Sequence, residues 1–150
     1  TQGSEEFISE LENKIGLAFS SPPYFDLEDY RIGKQSYKEG ISYESWLNNY
    51  LEPTIQNIYQ YLIDDGLFII NIKNFNKNHI EEDAIEIAKK NGFYLYKIET
   101  LNNIKRCHGD VKTARKEKTV TLNDNSEKIY IFSKKENYVL KSHKQTYELF

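Results

Sequence analysis

Ser21-Pro22-Pro23-Tyr24 comes directly after the apolar run Ile15-Gly16-Leu17-Ala18-Phe19 and Ser20. Proline fixes φ and has no N–H, so a strand arriving here cannot continue as a central strand. The residue before each proline is driven to extended geometry, which predicts that Ser21 and Pro22 are both extended. The result is a rigid corner whose carbonyl oxygens lack a strand partner, beside a hydroxyl and a phenol ring. Such a corner suits a flat molecule with an amino group: the oxygens accept from the N–H donors and the ring stacks on the face. Read alone, the same four residues also suit a plain strand-ending turn, or a Pro-Pro-Tyr ligand for a WW domain.

At these residues the chain resembles the S-adenosylmethionine-dependent DNA amino-methyltransferases, whose signature is (Ser/Asn/Asp)-Pro-Pro-(Tyr/Phe/Trp) at the carboxyl end of the fourth strand. The Ser-Pro-Pro-Tyr form is commonest among members that methylate cytosine N4, the Asp and Asn forms among those acting on adenine N6. Phe25-Asp26-Leu27, the polar stretch with Gln35-Ser36-Tyr37, and Tyr43-Glu44-Ser45-Trp46-Leu47 look like the segment after this motif in phage and bacterial DNA modification methylases. Asp65-Gly66-Leu67-Phe68-Ile69-Ile70-Asn71-Ile72-Lys73 is similar to their fifth strand. The resemblance covers residues 1 to about 135, the carboxyl-terminal part of such a catalytic domain, with 136–150 as a tail.

The resemblance implies a chemistry. An exocyclic amine is a poor nucleophile because its lone pair is delocalised into the ring. Acceptors on its two hydrogens favour a more tetrahedral nitrogen and disperse the charge that develops on attack. The side chain at the Ser21 position and the carbonyl of Pro22 are the implied acceptors, Pro23 completes the corner, and Tyr24 stacks on a base extruded from the duplex. Gly3, Ser4 and Glu5 correspond to the loop beside the cofactor's adenine. A helix cap is an equally good account of them.

The resemblance also has a gap. The family's glycine-rich cofactor loop comes after its first strand, and the glycines here are isolated at positions 3, 16, 33, 40, 66, 92 and 109. The expectation is therefore a fragment whose partner is the missing amino-terminal part of the same domain. By itself it is expected to bind S-adenosylmethionine weakly or not at all. Two other readings stand beside the DNA enzyme. A related class methylates a glutamine amide in protein, although it carries Asn where Ser21 stands. The other is a non-enzymatic α/β interaction module.

The composition sets outer bounds. The 150 residues suit one domain, and 39% hydrophobic with 29% charged residues excludes a disordered chain. No apolar run approaches membrane-spanning length and no signal peptide is visible, so a cytoplasmic protein is expected. Cys107 is the only cysteine, which rules out an intrachain disulfide. With only His108 beside it, no metal site is expected. A net charge of −3 counts mildly against tight duplex binding. The basic residues nevertheless gather in one segment, with Lys105, Arg106, Lys112, Arg115, Lys116 and Lys118 against Asp110 and Glu117. That segment suits phosphate contacts and equally a solvated loop. Lys73, with Asn71, falls at the end of a central strand, where open α/β sheets bind ligands; a solvated strand end is the competing account.

These residues need elements to hold them. Ser4-Glu5-Glu6 suits the start of a short helix with Phe7, Ile8 and Leu11 inward. Residues 15–20 read as a buried strand, and 25–40 as a polar loop. A long helix begins after Ser42, with Pro53 predicting a kink or break near Asn49–Glu52. Asp64-Asp65-Gly66 predicts a turn into a strand at 67–73. Asn78 is placed as the cap of a helix at 79–91 that Gly92 ends. Strands at 93–101 and 128–133 flank a long polar connection. The alternation predicts an α/β domain, a partial Rossmann-like methyltransferase fold whose mostly parallel sheet closes on an antiparallel strand. The exposed edge of strand 15–20 makes self-association a further expectation. Tyr43, Trp46 and Tyr50 share a helix face and read as core rather than as a stacking platform. Recognition sequence and base identity are not legible.

Overall fold

The computed structural model describes residues 3–22, 25, 41–101 and 127–140. After a 3-10 turn at Ser9–Leu11, the elements are β1 (Ile15–Ser20), α1 (Tyr43–Trp46), a π-helical turn (Leu47–Leu51) and α2 (Glu52–Tyr61). They continue with β2 (Leu62–Ile72), α3 (Ile80–Lys90), β3 (Tyr94–Leu101) and β4 (Glu127–Ser133). The described strands form one sheet in the order β1-β2-β4-β3. β1 and β2 are parallel, whereas β4 runs antiparallel to both of its neighbours. Three strands thus share a direction and β4 opposes them, which is the predicted closing arrangement.

Alternation along β2 explains the layers. Phe68, Ile70 and Ile72 are buried with Tyr130 and Phe132 of β4 and with Trp46, Leu51, Ile55, Ile80, Ala84 and Ala88 from the helices. Leu67, Ile69 and Asn71 point to the opposite face. There β1 contributes Leu17 and Phe19, which are 58% and 62% exposed. Among the described residues the helices cover only one side of the sheet.

Five expectations are corrected. Residues 15–20 form a strand but not a buried one: no residue of β1 is buried, because among the described residues nothing covers the face that carries Leu17 and Phe19. The amino-terminal stretch forms no α-helix, only the 3-10 turn, and Ser4 caps nothing: its hydroxyl pairs with Thr54 Oγ1 at 2.9 Å. Of the kink or break expected near Asn49–Glu52, the structure has an irregularity, the π turn, and no break. The helix runs on through the π turn into α2, with Pro53 in the first turn of α2, because a wider turn accommodates the missing proline N–H without ending the helix. Asp64-Asp65-Gly66 lies within β2 rather than before it, yet the predicted turn survives as an irregularity. Between the pairs Ile15–Leu62 and Leu17–Leu67, β2 has four residues where β1 has one. Finally, Asn78 does not cap α3. Asn74 does so from further upstream, its Oδ1 accepting from Glu81 N–H at 2.8 Å while its own N–H donates to Glu81 Oε1 at 3.0 Å.

Candidate functional site

The site begins where β1 leaves the sheet. Ser20 pairs with Ile70, the last pair of the β1–β2 register, so Ser21 leaves the sheet at its carboxyl edge, where α/β sheets bind ligands. Ser21 is exposed and Pro22 is buried. The proline ring is therefore anchored in the protein while the serine faces outward. Pro23 and Tyr24 lie outside the described residues.

One step further, Phe25 shows how the corner is held. Its ring meets Tyr43 edge-on at 5.4 Å and lies 6.2 Å from Trp46. Tyr43 in turn stacks on Trp46, and Trp46 packs against Tyr50. Such offset and edge-to-face pairs add directional attraction to apolar burial. The cluster is a wall behind the corner, and Trp46, 1% exposed, is its fixed point. Ser42 caps α1 by accepting from Ser45 N–H at 3.1 Å. Burial, reinforced by the hydrogen bond its hydroxyl donates to Asp83 at 2.5 Å, pushes the Tyr43 phenol well above its ordinary range. Burial also raises Tyr50. Both are neutral aromatic groups that pack, as their helical spacing predicts.

The β2 side of the edge carries polar groups that sequence spacing does not pair. Asn71 Nδ2 donates to Glu127 Oε2 of β4 at 3.2 Å, while Asn71 Oδ1, itself buried, has no hydrogen-bond partner among the described residues. Lys73 stands just past the end of β2, at the same edge. Below it, the buried Glu81 collects Lys128 Nζ at 2.8 Å, the Tyr130 hydroxyl and the Asn74 N–H. Burial opposes charge on Glu81, but the bonds from Lys128 and Tyr130 outweigh it and hold the carboxyl below the usual carboxylate range. Burial and the same carboxylate push the Tyr130 phenol up. This network ties β4 to the start of α3 and so fixes the loop after β2. Glu81 and Glu127 escape a reading by spacing because their partners lie 47 to 56 residues away in sequence, and Asn74 because it reaches Glu81 across the turn that enters α3.

Gly3, Ser4 and Glu5 sit against the helix that precedes β2. The Ser4 hydroxyl is held by Thr54, its carbonyl accepts from Asn57 Nδ2 at 3.0 Å, and the Gly3 carbonyl accepts from Glu6 N–H at 3.1 Å. Most polar atoms of this segment are already engaged, which leaves the Glu5 carboxylate as its side-chain group for a ligand. Among the described residues, this segment offers an adenosyl group a single side-chain carboxylate and no complete cradle. Lys105, Arg106, Lys112, Arg115 and Lys116 lie outside the described residues. A separate hollow of about 590 Å³, lined by Lys89, Gly92, Phe93, Tyr94, Leu95 and Glu136, opens at the amino end of β3, away from the corner. Among the described residues no group of His, Cys, Asp and Glu could hold a metal ion, and no helix is long and apolar enough to cross a membrane.

Residues 15–149 match the family model of the N6/N4 DNA methylases. The chain belongs to this family. Three solved structures of TTHA0409 from Thermus thermophilus, a protein assigned by name to the DNA modification methylases, share the methylase fold. The first superimposes with a TM-score of 0.57 at 17% identity, covering 95% of this chain and 55% of the other. A second gives 0.61 at 17% identity, with 97% and 57% covered. A third, complexed with S-adenosyl-L-methionine, gives 0.56 at 17% identity, with 89% and 53% covered. The chain thus spans a little over half the length of the structures it matches. No curated protein matches it.

Proposed function

We propose that the methylase corner at Ser21-Pro22 receives the exocyclic amino group of a DNA base, cytosine N4 or adenine N6, for methylation by S-adenosylmethionine. The observation that carries this reading is the pairing of an exposed Ser21 with a buried Pro22 at the carboxyl edge of a parallel strand, in a chain of this family. When bound, the cofactor supplies an electrophilic methyl group on a sulfonium. The Ser21 hydroxyl and the Pro22 carbonyl accept from the two amine hydrogens. They draw the nitrogen lone pair out of conjugation and stabilise the positive charge that grows as the N–C bond forms; the extra amine proton then leaves to solvent. Tyr24 stacks on the extruded base. Glu5 lies toward the cofactor. Lys73 and the basic segment Lys105, Arg106, Lys112, Arg115 and Lys116 face phosphates. The activity belongs to the whole protein, in which a glycine-rich loop on a strand beside β1 completes the cofactor site.

The test is methyl transfer from labelled S-adenosylmethionine to DNA by the full-length protein, with the product nucleosides identified by mass spectrometry. N4-methylcytosine or N6-methyladenine is the expected product. Label on a glutamine amide of a protein substrate, with none on DNA, would overturn the reading. In the active protein, Tyr24→Ala is expected to weaken binding of the extruded base by about 1–3 kcal/mol, the usual worth of an aromatic–base stack. Unchanged target binding and turnover would remove Tyr24 from the site.

A further inference from the structure

The helix between β1 and β2 touches both halves of the proposed site. Tyr43 and Trp46 meet Phe25, the residue directly after Ser21-Pro22-Pro23-Tyr24, at 5.4 and 6.2 Å between ring centres. Further along, the Thr54 hydroxyl pairs with that of Ser4 at 2.9 Å, and Asn57 Nδ2 donates to the Ser4 carbonyl at 3.0 Å. Tyr50 lies between these two groups. Its ring packs on Trp46 at 5.6 Å, and its hydroxyl meets that of Ser4 near the Glu5 carboxylate.

The π turn at Leu47–Leu51 carries Tyr50. In a regular α-helix each residue turns about 100°, so a stripe that steps every four residues drifts by about 40° per step. Trp46, Tyr50 and Thr54 make such a stripe. A π turn closes its hydrogen bond over five residues, here from the Glu52 N–H to the Leu47 carbonyl, and its wider turn takes up the drift. The stripe therefore keeps to one side of the helix from Phe25 to Ser4. Leu51, 1% exposed, pins the turn to the core. Single π turns inside α-helices recur at functional sites.

We propose that Tyr50 is a positioning residue that sets the cofactor side of the site against the base corner. It touches neither the amine nor the methyl group. Its hydroxyl acts through Ser4 and Glu5, and its ring acts through Trp46 and Phe25. Ser4 is already bound to the same helix by its side chain and its carbonyl. Tyr50 adds a third contact, which fixes how the Glu5 carboxylate is presented. The inference rests on the proposed readings of Gly3–Glu5 as the cofactor side and of Ser21-Pro22 as the base corner. It adds to them the group that holds one against the other.

The experiment uses the full-length protein and measures its affinities for S-adenosylmethionine and for a target duplex separately, together with methylation turnover. Tyr50→Phe keeps the ring and removes the hydroxyl. It is expected to raise the Kd for S-adenosylmethionine by about two- to tenfold, the usual worth of one neutral hydrogen bond, and to leave the Kd for DNA unchanged. Turnover should fall at low cofactor and recover as cofactor is raised. Tyr50→Leu removes the ring as well. It is expected to lower turnover at saturating cofactor too, because Trp46 loses a neighbour; turnover equal to wild type would break the link to the corner and overturn the proposal. A merely structural tyrosine would lower the thermal midpoint in Tyr50→Phe and weaken both ligands alike, and that result would also overturn it. Glu5→Gln separates the remaining outcomes. If it weakens cofactor binding while Tyr50→Phe does not, this inference fails alone. If neither variant changes cofactor affinity, it falls together with the reading of Gly3–Glu5. If wild type transfers no methyl to DNA, it falls together with the methylase reading.

Discussion

Ser21 and Pro22 differ by one position and have opposite fates, one exposed and one buried. That contrast sets a solvent-facing side chain directly before an anchored proline ring. Accuracy at this edge depends on residues that touch no substrate, and Glu81 is the most open to test. Its carboxyl is held below its ordinary range by Lys128 and Tyr130 against the opposing effect of burial, whereas an unfolded glutamate titrates at about 4.3. A carboxyl depressed on folding stabilises the folded state above its unfolded value and loses that contribution as pH falls through its folded value. Glu81→Gln keeps an oxygen for the Tyr130 hydroxyl and loses the ion pair. At pH 7 it is expected to destabilise by about 1–2 kcal/mol, in the lower range for a hydrogen bond to a charged group, since Lys128 is half exposed. The difference from wild type should shrink below about pH 4. Urea unfolding of both proteins at neutral and at acid pH measures it; a pH-independent difference would show that the ion pair contributes nothing.

Elements with a strong apolar period were legible: β1, the apolar half of β2, α3 and the closing pair β3–β4 stand where alternation or a 3.6 period puts them. What escaped were places where tertiary contacts decide. Ser4 has a side chain suited to capping, yet Thr54, fifty residues on, holds it. Pro53 has the chemistry of a helix stop, yet a π turn absorbs it. At the proposed site, the strand that leads to the corner was readable, whereas the Asn71–Glu127 hydrogen bond depends on pairing across strands separated by a long connection. Glycine spacing likewise says nothing of packing. A Cβ on Gly66 would come within 2.9 Å of the Ile63 carbonyl oxygen and 3.1 Å of the Ile15 carbonyl oxygen, both backbone atoms at the β1–β2 irregularity; at Gly16 it would meet nothing within 4 Å. Gly66→Ala is therefore expected to cost about 1–3 kcal/mol through overpacking, and Gly16→Ala to be near neutral. Thermal unfolding of the two variants tests the pair, and equal shifts would contradict the close approach at Gly66.

Across the molecule, the described residues cover the sheet unevenly, and this bears on the proposed base and cofactor sites. The base corner stands on a packed layer: helices behind it, an aromatic wall beside it, a charged network under the loop after β2. The cofactor side has no equivalent. β1 has no partner on its outer edge among the described residues, and Leu17 and Phe19 stand exposed on the face the helices do not cover. The Gly3–Glu5 segment spends most of its polar atoms on Thr54, Asn57 and Glu6. A micromolar site requires about 8 kcal/mol of net binding free energy. Among the described residues, one carboxylate and the edge of a sheet fall short of that for a zwitterionic methionine tail, which needs converging backbone N–H groups such as a glycine-rich turn provides. Residues 1–150 alone are thus expected to show no saturable binding of S-adenosylmethionine at low-micromolar concentration, and to self-associate through the β1 edge. Calorimetric titration and light scattering read the two effects. Phe19→Lys should reduce association without restoring cofactor affinity, because it changes the exposed face and adds no donor where the methionine tail would sit. A low-micromolar Kd for the isolated 150 residues would mean that a complete cradle exists within them, and the division between a finished base corner and an unfinished cofactor site would be wrong.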